Sequence, residues 1–318
     1  MNRRLPEQFR RVFQSVTRLA LILPVCLAMI AGCKQNGDAH NEVVAMFGSL
    51  GLGPGQFSYP RALTVDSQNR IFVVDKSARI QRFSPEGTFQ LGWSMPERVA
   101  GKPVGLYAHT DGKIYVPDTH YHRVMVFDPD GHELARFGRE GYGDGEFQLP
   151  TDVAIDKQGF IYVSEYNGND RVTKWSPSYE FVSVVCAGEI DGEVMRRPAA
   201  MDIDNDGTLW VADACNHRIL HFSLDGRFLS SWGEMGGEPG QLRYPYDIDC
   251  LDDGTILVCE FGNHRLQWFD REGNSIRIWG EQGRGKGELW APWGAVVRSD
   301  GRVCVVDSLN ARVQILEK

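Results

Sequence analysis

Six short apolar runs, each ending in an acid, recur along the chain at nearly constant intervals: RIFVVD (70–75), KIYVPD (113–118), FIYVSE (160–165), TLWVAD (208–213), TILVCE (255–260) and RVCVVD (302–307). An Arg follows each acid, giving the pairs Asp75–Arg79, Asp118–Arg123, Glu165–Arg171, Asp213–Arg218, Glu260–Arg265 and Asp307–Arg312. A Pro precedes each run, at 60, 103, 150, 198, 245 and 292, so the spacings are 43, 47, 48, 47 and 47 residues. A period of this length marks a repeat architecture, in which no unit buries its apolar face alone.

Each unit reads as four strands. The Pro opens a short strand such as TDVAID, at a first position where no ladder donor is lost. A turn such as DNDG leads to the apolar run, which reads as a strand buried on both faces. A third strand follows the Arg (RIQRF, RVMVF, RLQWF), and a second turn (SPEG, DPDG, DREG) leads to a fourth that ends in an aromatic and Gly. Four antiparallel strands per 40 to 50 residues are a propeller blade, so the expected fold is an all-β, six-bladed β-propeller. The last unit stops after its third strand, RVQILEK, while a spare strand, EVVAMFG (42–48), precedes the first. Pairing the two would close the ring in one blade and leave no open edge.

GPGQFSYP, GDGEFQLP, EPGQLRYP and GKGELWAP before the Pro, with NHRIL, NHRLQ and NARVQ after the acid, resemble NHL repeats over residues 43–318. No Trp-Asp dipeptide occurs, which disfavours the WD40 class. The second unit departs from the pattern, because ERVAGKP lacks the G-x-F lead-in.

Several motifs invite a metal. In VADACNHRIL (211–220), Asp213, Cys215 and His217 are all residue types that ligate zinc. But Asp213 has a counterpart in every unit, and His122 and His264 match His217. One acid and one Arg per unit read instead as a structural tie, a guanidinium bonded to the acid and to loop carbonyls. DIDNDGTLWVAD (202–213) has the EF-hand order, but it joins two expected strands, so a hairpin turn is the reading. Cys186, Cys215, Cys250, Cys259 and Cys304 contain no CxxC and read mostly as small apolar core residues. The resemblance also reaches the peptide-amidating lyases, which hold zinc with a His directly after the Pro in three blades. Here those positions are Arg61, Val104, Thr151, Ala199, Tyr246 and Trp293, none of them His. Propeller lactonases hold a divalent cation with Glu, Asn and Asp around the axis. The next ring inward offers only Asp152 and Asp247, a thin calcium site. No cofactor is expected.

The N-terminus has the order of a secretory signal. Five Arg stand against Glu7 in residues 1–20, and an apolar run follows from Leu19 to Ala31. Ile30-Ala31-Gly32-Cys33 resembles the lipobox of bacterial lipoproteins, which implies a cut before Cys33 and a diacylglycerol on its thiol. The expected organisation is a signal peptide over 1–32, the lipidated Cys and a tether over 33–41, and a propeller over 42–318. Lys34, where an inner-membrane retention signal would place Asp, favours the outer membrane of a two-membrane cell. Removing residues 1–32 takes the net charge from −8 to −12. An acidic, exported body is a poor partner for nucleic acid.

These features point to a monomeric propeller, lipid-anchored in the cell envelope, that binds a protein or small ligand. The competing reading is a metal-dependent enzyme of the lactonase or lyase kind. The partner face is expected on the loops of blades 5, 6 and 1, where Arg61, Tyr246 and Trp293 follow the Pro and Tyr59, Tyr244 and Trp290 lie just before it. Tyr, Trp and Arg dominate interface hot spots, while blades 2 to 4 offer small or plain side chains after the Pro. The alternative role for Trp293 and Tyr246 is to plug the channel and pack between blades.

Overall fold

The computed structural model describes residues 42–317; Cys33, the signal and the tether lie outside them. Six four-stranded antiparallel sheets follow one another along the chain. Blade 1 comprises Pro60–Val65, Ile71–Asp75, Arg79–Phe83 and Phe89–Ser94, and blade 2 Tyr107–Ala108, Ile114–Asp118, Arg123–Phe127 and Glu133–Phe137. Blade 3 comprises Leu149–Ile155, Ile161–Tyr166, Arg171–Trp175 and Phe181–Ala187, and blade 4 Pro198–Ile203, Thr208–Asp213, Arg218–Ser223 and Phe228–Trp232. Blade 5 comprises Pro245–Cys250, Ile256–Glu260, Arg265–Phe269 and Ser275–Trp279. Blade 6 takes Pro292–Val297, Val303–Asp307 and Arg312–Leu316 from the end of the chain, and Val43–Phe47 from its beginning. Val43 pairs with Leu316 and Phe47 with Val313, so the two ends of the propeller close the ring as one ladder.

The core is distributed. Each of six apolar clusters fills the wedge between two neighbouring blades; Phe72, Val116 and Met125, for example, share the wedge of blades 1 and 2. The wedge between blades 6 and 1 holds Phe57, Leu63, Cys304 and Ile315. Second strands such as Ile71–Asp75 and Val303–Asp307 are buried at every residue, because both sheet faces meet a neighbour. The apolar residue of each G-x-F-type lead-in, Phe57, Phe147, Leu242 or Leu289, is fully buried and locks its loop to the wedge. Blade 2 lacks that residue, and its innermost strand shrinks to Tyr107–Ala108. Before blade 4 a small hairpin, Glu189–Ile190 with Glu193–Val194, replaces the glycine-rich loop.

Candidate functional site

The repeated acid organises one end of the propeller. Each acid is buried and ion-pairs with its Arg: Asp75–Arg79 at 2.8 Å, Asp118–Arg123 at 2.9 Å, Glu165–Arg171 at 2.5 Å, Asp213–Arg218 at 2.9 Å, Glu260–Arg265 at 2.6 Å and Asp307–Arg312 at 2.6 Å. Outside blade 2 the rest of the fork clamps the lead-in segment, as in Arg265 donating to the carbonyls of Gly237 (2.7 Å) and Gln241 (2.8 Å). The acid also accepts a loop N–H, from Ser58, Gln148, Arg196, Arg243 or Trp290. In blade 2, which has no such loop, Asp118 Oδ1 is buried without a partner. Burial pushes the carboxyls of Glu165, Asp213 and Glu260 upward, against the pull of loop N–H groups and of their arginines.

The Asn and His before the Arg divide the work. Asn216, Asn263 and Asn310 donate to the acid of their own blade at 2.9, 2.6 and 2.8 Å. The His adopts a left-handed backbone (φ 57° at His217, 56° at His264), which turns its ring toward the next blade. His217 Nδ1 accepts the N–H of Tyr244 at 3.0 Å, and His264 Nδ1 accepts that of Ala291 at 2.9 Å. His217 is therefore a bridge between blades. Cys215 is a free thiol, and Asp213 sits at the far end of a hairpin whose turn is built by Asp204.

Two backbone features aim side chains over the channel mouth. In five blades the inner strand bulges at the residue after the Pro, so Arg61, Thr151, Ala199, Tyr246 and Trp293 leave the ladder. Before the Pro, Tyr59, Arg197 and Tyr244 are left-handed (φ 55°, 59° and 50°), a strained state for bulky residues. The result is a continuous arch. The Arg61 guanidinium carbon lies 5.4 Å from the Trp293 ring, Trp293 lies 4.9 Å from Tyr246, and Tyr246 lies 4.7 Å from the Arg197 guanidinium carbon. Tyr59 meets Trp293 edge-on at 5.8 Å, Phe261 packs on Tyr246 at 4.8 Å, and Arg197 also covers Tyr166 at 5.1 Å.

Tyr59, Arg61, Tyr246, Trp293 and Tyr244 are thus brought together. Trp290 instead packs under the Arg284 guanidinium, at 4.5 Å. The residues after the Pro in blades 2 to 4 are small or plain, but blades 3 and 4 still reach the arch, through Tyr166 after the acid Glu165 and Arg197 directly before Pro198.

Below the mouth the axial channel is acidic. Asp152 and Asp247 line it as a first ring, and Asp202 and Asp249 form a second ring two residues on. The Pro-plus-two ring holds the two carboxylates expected of it, and the Pro-plus-four ring adds two more. Strand period places the Pro-plus-two and Pro-plus-four residues on the same face; the EF-hand-like order around Asp202 had drawn it to the turn instead. Each carboxylate reaches the inner strand of the following blade: Asp152 accepts Met201 N–H at 2.8 Å, Asp202 accepts Cys250 N–H at 2.8 Å, Asp247 accepts Ala295 N–H at 2.8 Å and Asp249 accepts Val297 N–H at 2.6 Å. These bonds stitch inner strands that share no ladder. Burial pushes Asp152 up to about 7 and Asp249 up to about 6, and raises Asp202 and Asp247 well above the ordinary range. Among the described residues no group of three or more His, Cys, Asp or Glu side chains is placed to hold a metal ion.

Comparison with known proteins matches this architecture. The NHL repeat family matches residues 195–222 and 242–269, and a family described as a 6-bladed beta-propeller matches residues 97–184. NHL repeats are found in the first two of these segments. The chain is 31% identical over 179 residues to the peptidylglycine alpha-amidating monooxygenase of Rattus norvegicus, covering 52% of this chain and 17% of that protein. It is 26% identical over 133 residues to protein brain tumor of Drosophila melanogaster, covering 42% of this chain and 12% of that protein. The chain thus spans less than a fifth of these relatives' length. Among solved structures, a streptogramin B lyase shares the fold with a TM-score of 0.62 and 14% identity, covering 87% of this chain and 98% of that one.

Proposed function

We propose that this NHL propeller is a lipid-anchored, extracytoplasmic binding platform whose partner or ligand sits on the channel mouth between blades 4, 5, 6 and 1. The observation that carries the reading is the arch itself. Four large side chains, Arg61, Trp293, Tyr246 and Arg197, form a half-buried row, and among the described residues no acid ion-pairs with either arginine. Half-buried aromatics with adjacent guanidinium groups supply large contact area and polar handles, the chemistry of interface hot spots. NHL repeats support a binding scaffold, and the lipobox-like Ile30–Cys33 supports an anchor.

The second reading, a lyase- or lactonase-like enzyme, draws on the axial carboxylates. Each of the four already accepts a backbone N–H from the following blade, which favours a stitching role.

Hydrogen-exchange footprinting tests the platform. The full chain is solubilised from membranes with whatever co-purifies, and exchange is compared with that of the stripped protein. Protection at residues 56–61, 195–199, 243–246 and 290–293 is the expected result. Protection confined to the outer strands or to the opposite end of the channel would refute the assignment.

A further inference from the structure

Every repeat arginine is ion-paired with the acid of its own blade, but two arginines at the mouth stand apart. Among the described residues, neither Arg61 nor Arg197 forms a side-chain ion pair, and the Nε of each is buried without a hydrogen-bond partner. Burial works against the charged form of Arg61, and the nearby Arg197 charge adds to it, so the two guanidinium groups face one another's field across the mouth. An uncompensated pair of buried donors is costly in a fold that satisfies most others. In a chain of net charge −8, it is also a local exception.

We propose that Arg61 and Arg197 clamp the carboxylate of a small organic acid with an aromatic or apolar body. The proposal rests on the mouth being the binding face, and names what it binds. Both guanidinium groups lie over aromatic rings, Arg61 over Trp293 and Arg197 over Tyr246 and Tyr166. Stacking uses the flat face of the fork and leaves its N–H edge free for a coplanar, bidentate acceptor. The space beneath is small, about 30 Å³, which suits a head group better than a whole ligand. The body is then left against Trp293, Tyr246, Tyr59 and Phe261, which are mutually packed at 4.8 to 5.8 Å.

Asp152 and Asp247 line the floor, and burial works against the charged form of both carboxyls. No Lys lines the mouth, which distinguishes it from sites that gather point charges around a phosphate.

Benzoate is the probe. Titration calorimetry and Trp fluorescence on the purified propeller with its tether are expected to give saturable one-to-one binding of benzoate and none of benzamide, which has the same body without the charge. Arg61→Gln and Arg197→Gln are each expected to weaken benzoate about tenfold. Arg61→Lys and Arg197→Lys, which keep the charge and lose the fork, are expected to fall between; they also serve if a Gln variant folds poorly. No saturable benzoate binding up to about 10 mM, unchanged affinity in folded Gln variants, or tighter binding of inorganic phosphate would each overturn the clamp. Benzoate silence in a protein whose partner still protects the mouth removes the carboxylate assignment alone. Benzoate binding without any mouth footprint removes the platform and keeps the clamp.

Discussion

The imidazole Nδ1 of His217 in blade 4 accepts the backbone N–H of Tyr244 at the start of blade 5, at 3.0 Å, and the two rings meet nearly edge-on at 4.7 Å. One side chain thereby fixes both the seam between two blades and the left-handed turn that projects Tyr244 over the mouth. An acceptor role requires the neutral ring, and burial does lower the affinity of His217 for a proton. His217→Ala is expected to cost about 1 to 2 kcal/mol in urea unfolding, since it strands a half-buried N–H.

The same residue predicts an acid-side loss of stability. His217 and His264 both have folded-state values lowered by burial, so the unfolded chain binds protons more readily than the folded one. Their contribution is complete above about pH 6.5, the unfolded value, and is lost as pH falls through the lowered folded value. Urea midpoints of the wild type and of His217→Gln plus His264→Gln, measured on both sides of that pH, should converge at the acid end. Parallel curves would contradict the bridge.

The channel carboxylates run the other way. Burial raises Asp152 to about 7 and Asp249 to about 6, so the folded protein holds protons that the unfolded chain has released. Their contribution is complete below about pH 4 and is lost as pH rises through the raised folded values. Asp152→Asn keeps an acceptor for Met201 N–H and removes the titration, so its stability should fall less than that of the wild type between those limits. An unchanged slope would remove Asp152 from the account.

Ring closure is tested by removing the strand that completes blade 6. Deleting residues 42–48 takes away the ladder that pairs Val43–Phe47 with Arg312–Leu316 and uncovers the apolar strand beneath. A loss of several kcal/mol, a large part of ordinary domain stability, is expected in thermal or urea unfolding. A truncated propeller that melts with its parent would show that the ladder contributes little.

The blades were legible because the repeat states the same rule six times. Pro, apolar run, acid and Arg recur in register, and the two buried faces of strands such as Ile71–Asp75 follow from that run. The mouth was legible in part. Tyr246 and Trp293 stand directly after a Pro, where the bulge turns them out, and that position could be read without coordinates. Arg197 stands before Pro198 in the same register as Tyr59 and Tyr244, but its lead-in is a hairpin that lacks the glycine-rich motif marking theirs. Asp202 and Asp249 required counting alternate residues along the inner strand, a signal that was present but weaker than the turn motif around them. Trp290 looked equivalent to Tyr59 and Tyr244 by closeness to the Pro, yet it stands one residue earlier and turns toward Arg284.

The anchor has its own test. KQNGDAHN (34–41) reaches at most about 28 Å when extended, which would hold the propeller close to the membrane. Cys33→Ala is expected to release the protein into the soluble fraction or to block removal of the signal. A Cys33→Ala protein that is processed normally and stays in the membrane fraction would contradict lipidation.

The most direct test of the central claim, that the arch is a binding surface and not a plug, is a double substitution read two ways. Arg61→Ala with Trp293→Ala removes one end of the arch while leaving the six acid–Arg ties and the channel carboxylates intact. Partner affinity, measured on the complex that footprints the mouth, is expected to weaken by about 2 kcal/mol or more, with the melting temperature of the free propeller nearly unchanged. A double variant that unfolds easily, or that binds its partner as tightly as the parent, would assign these side chains to the core.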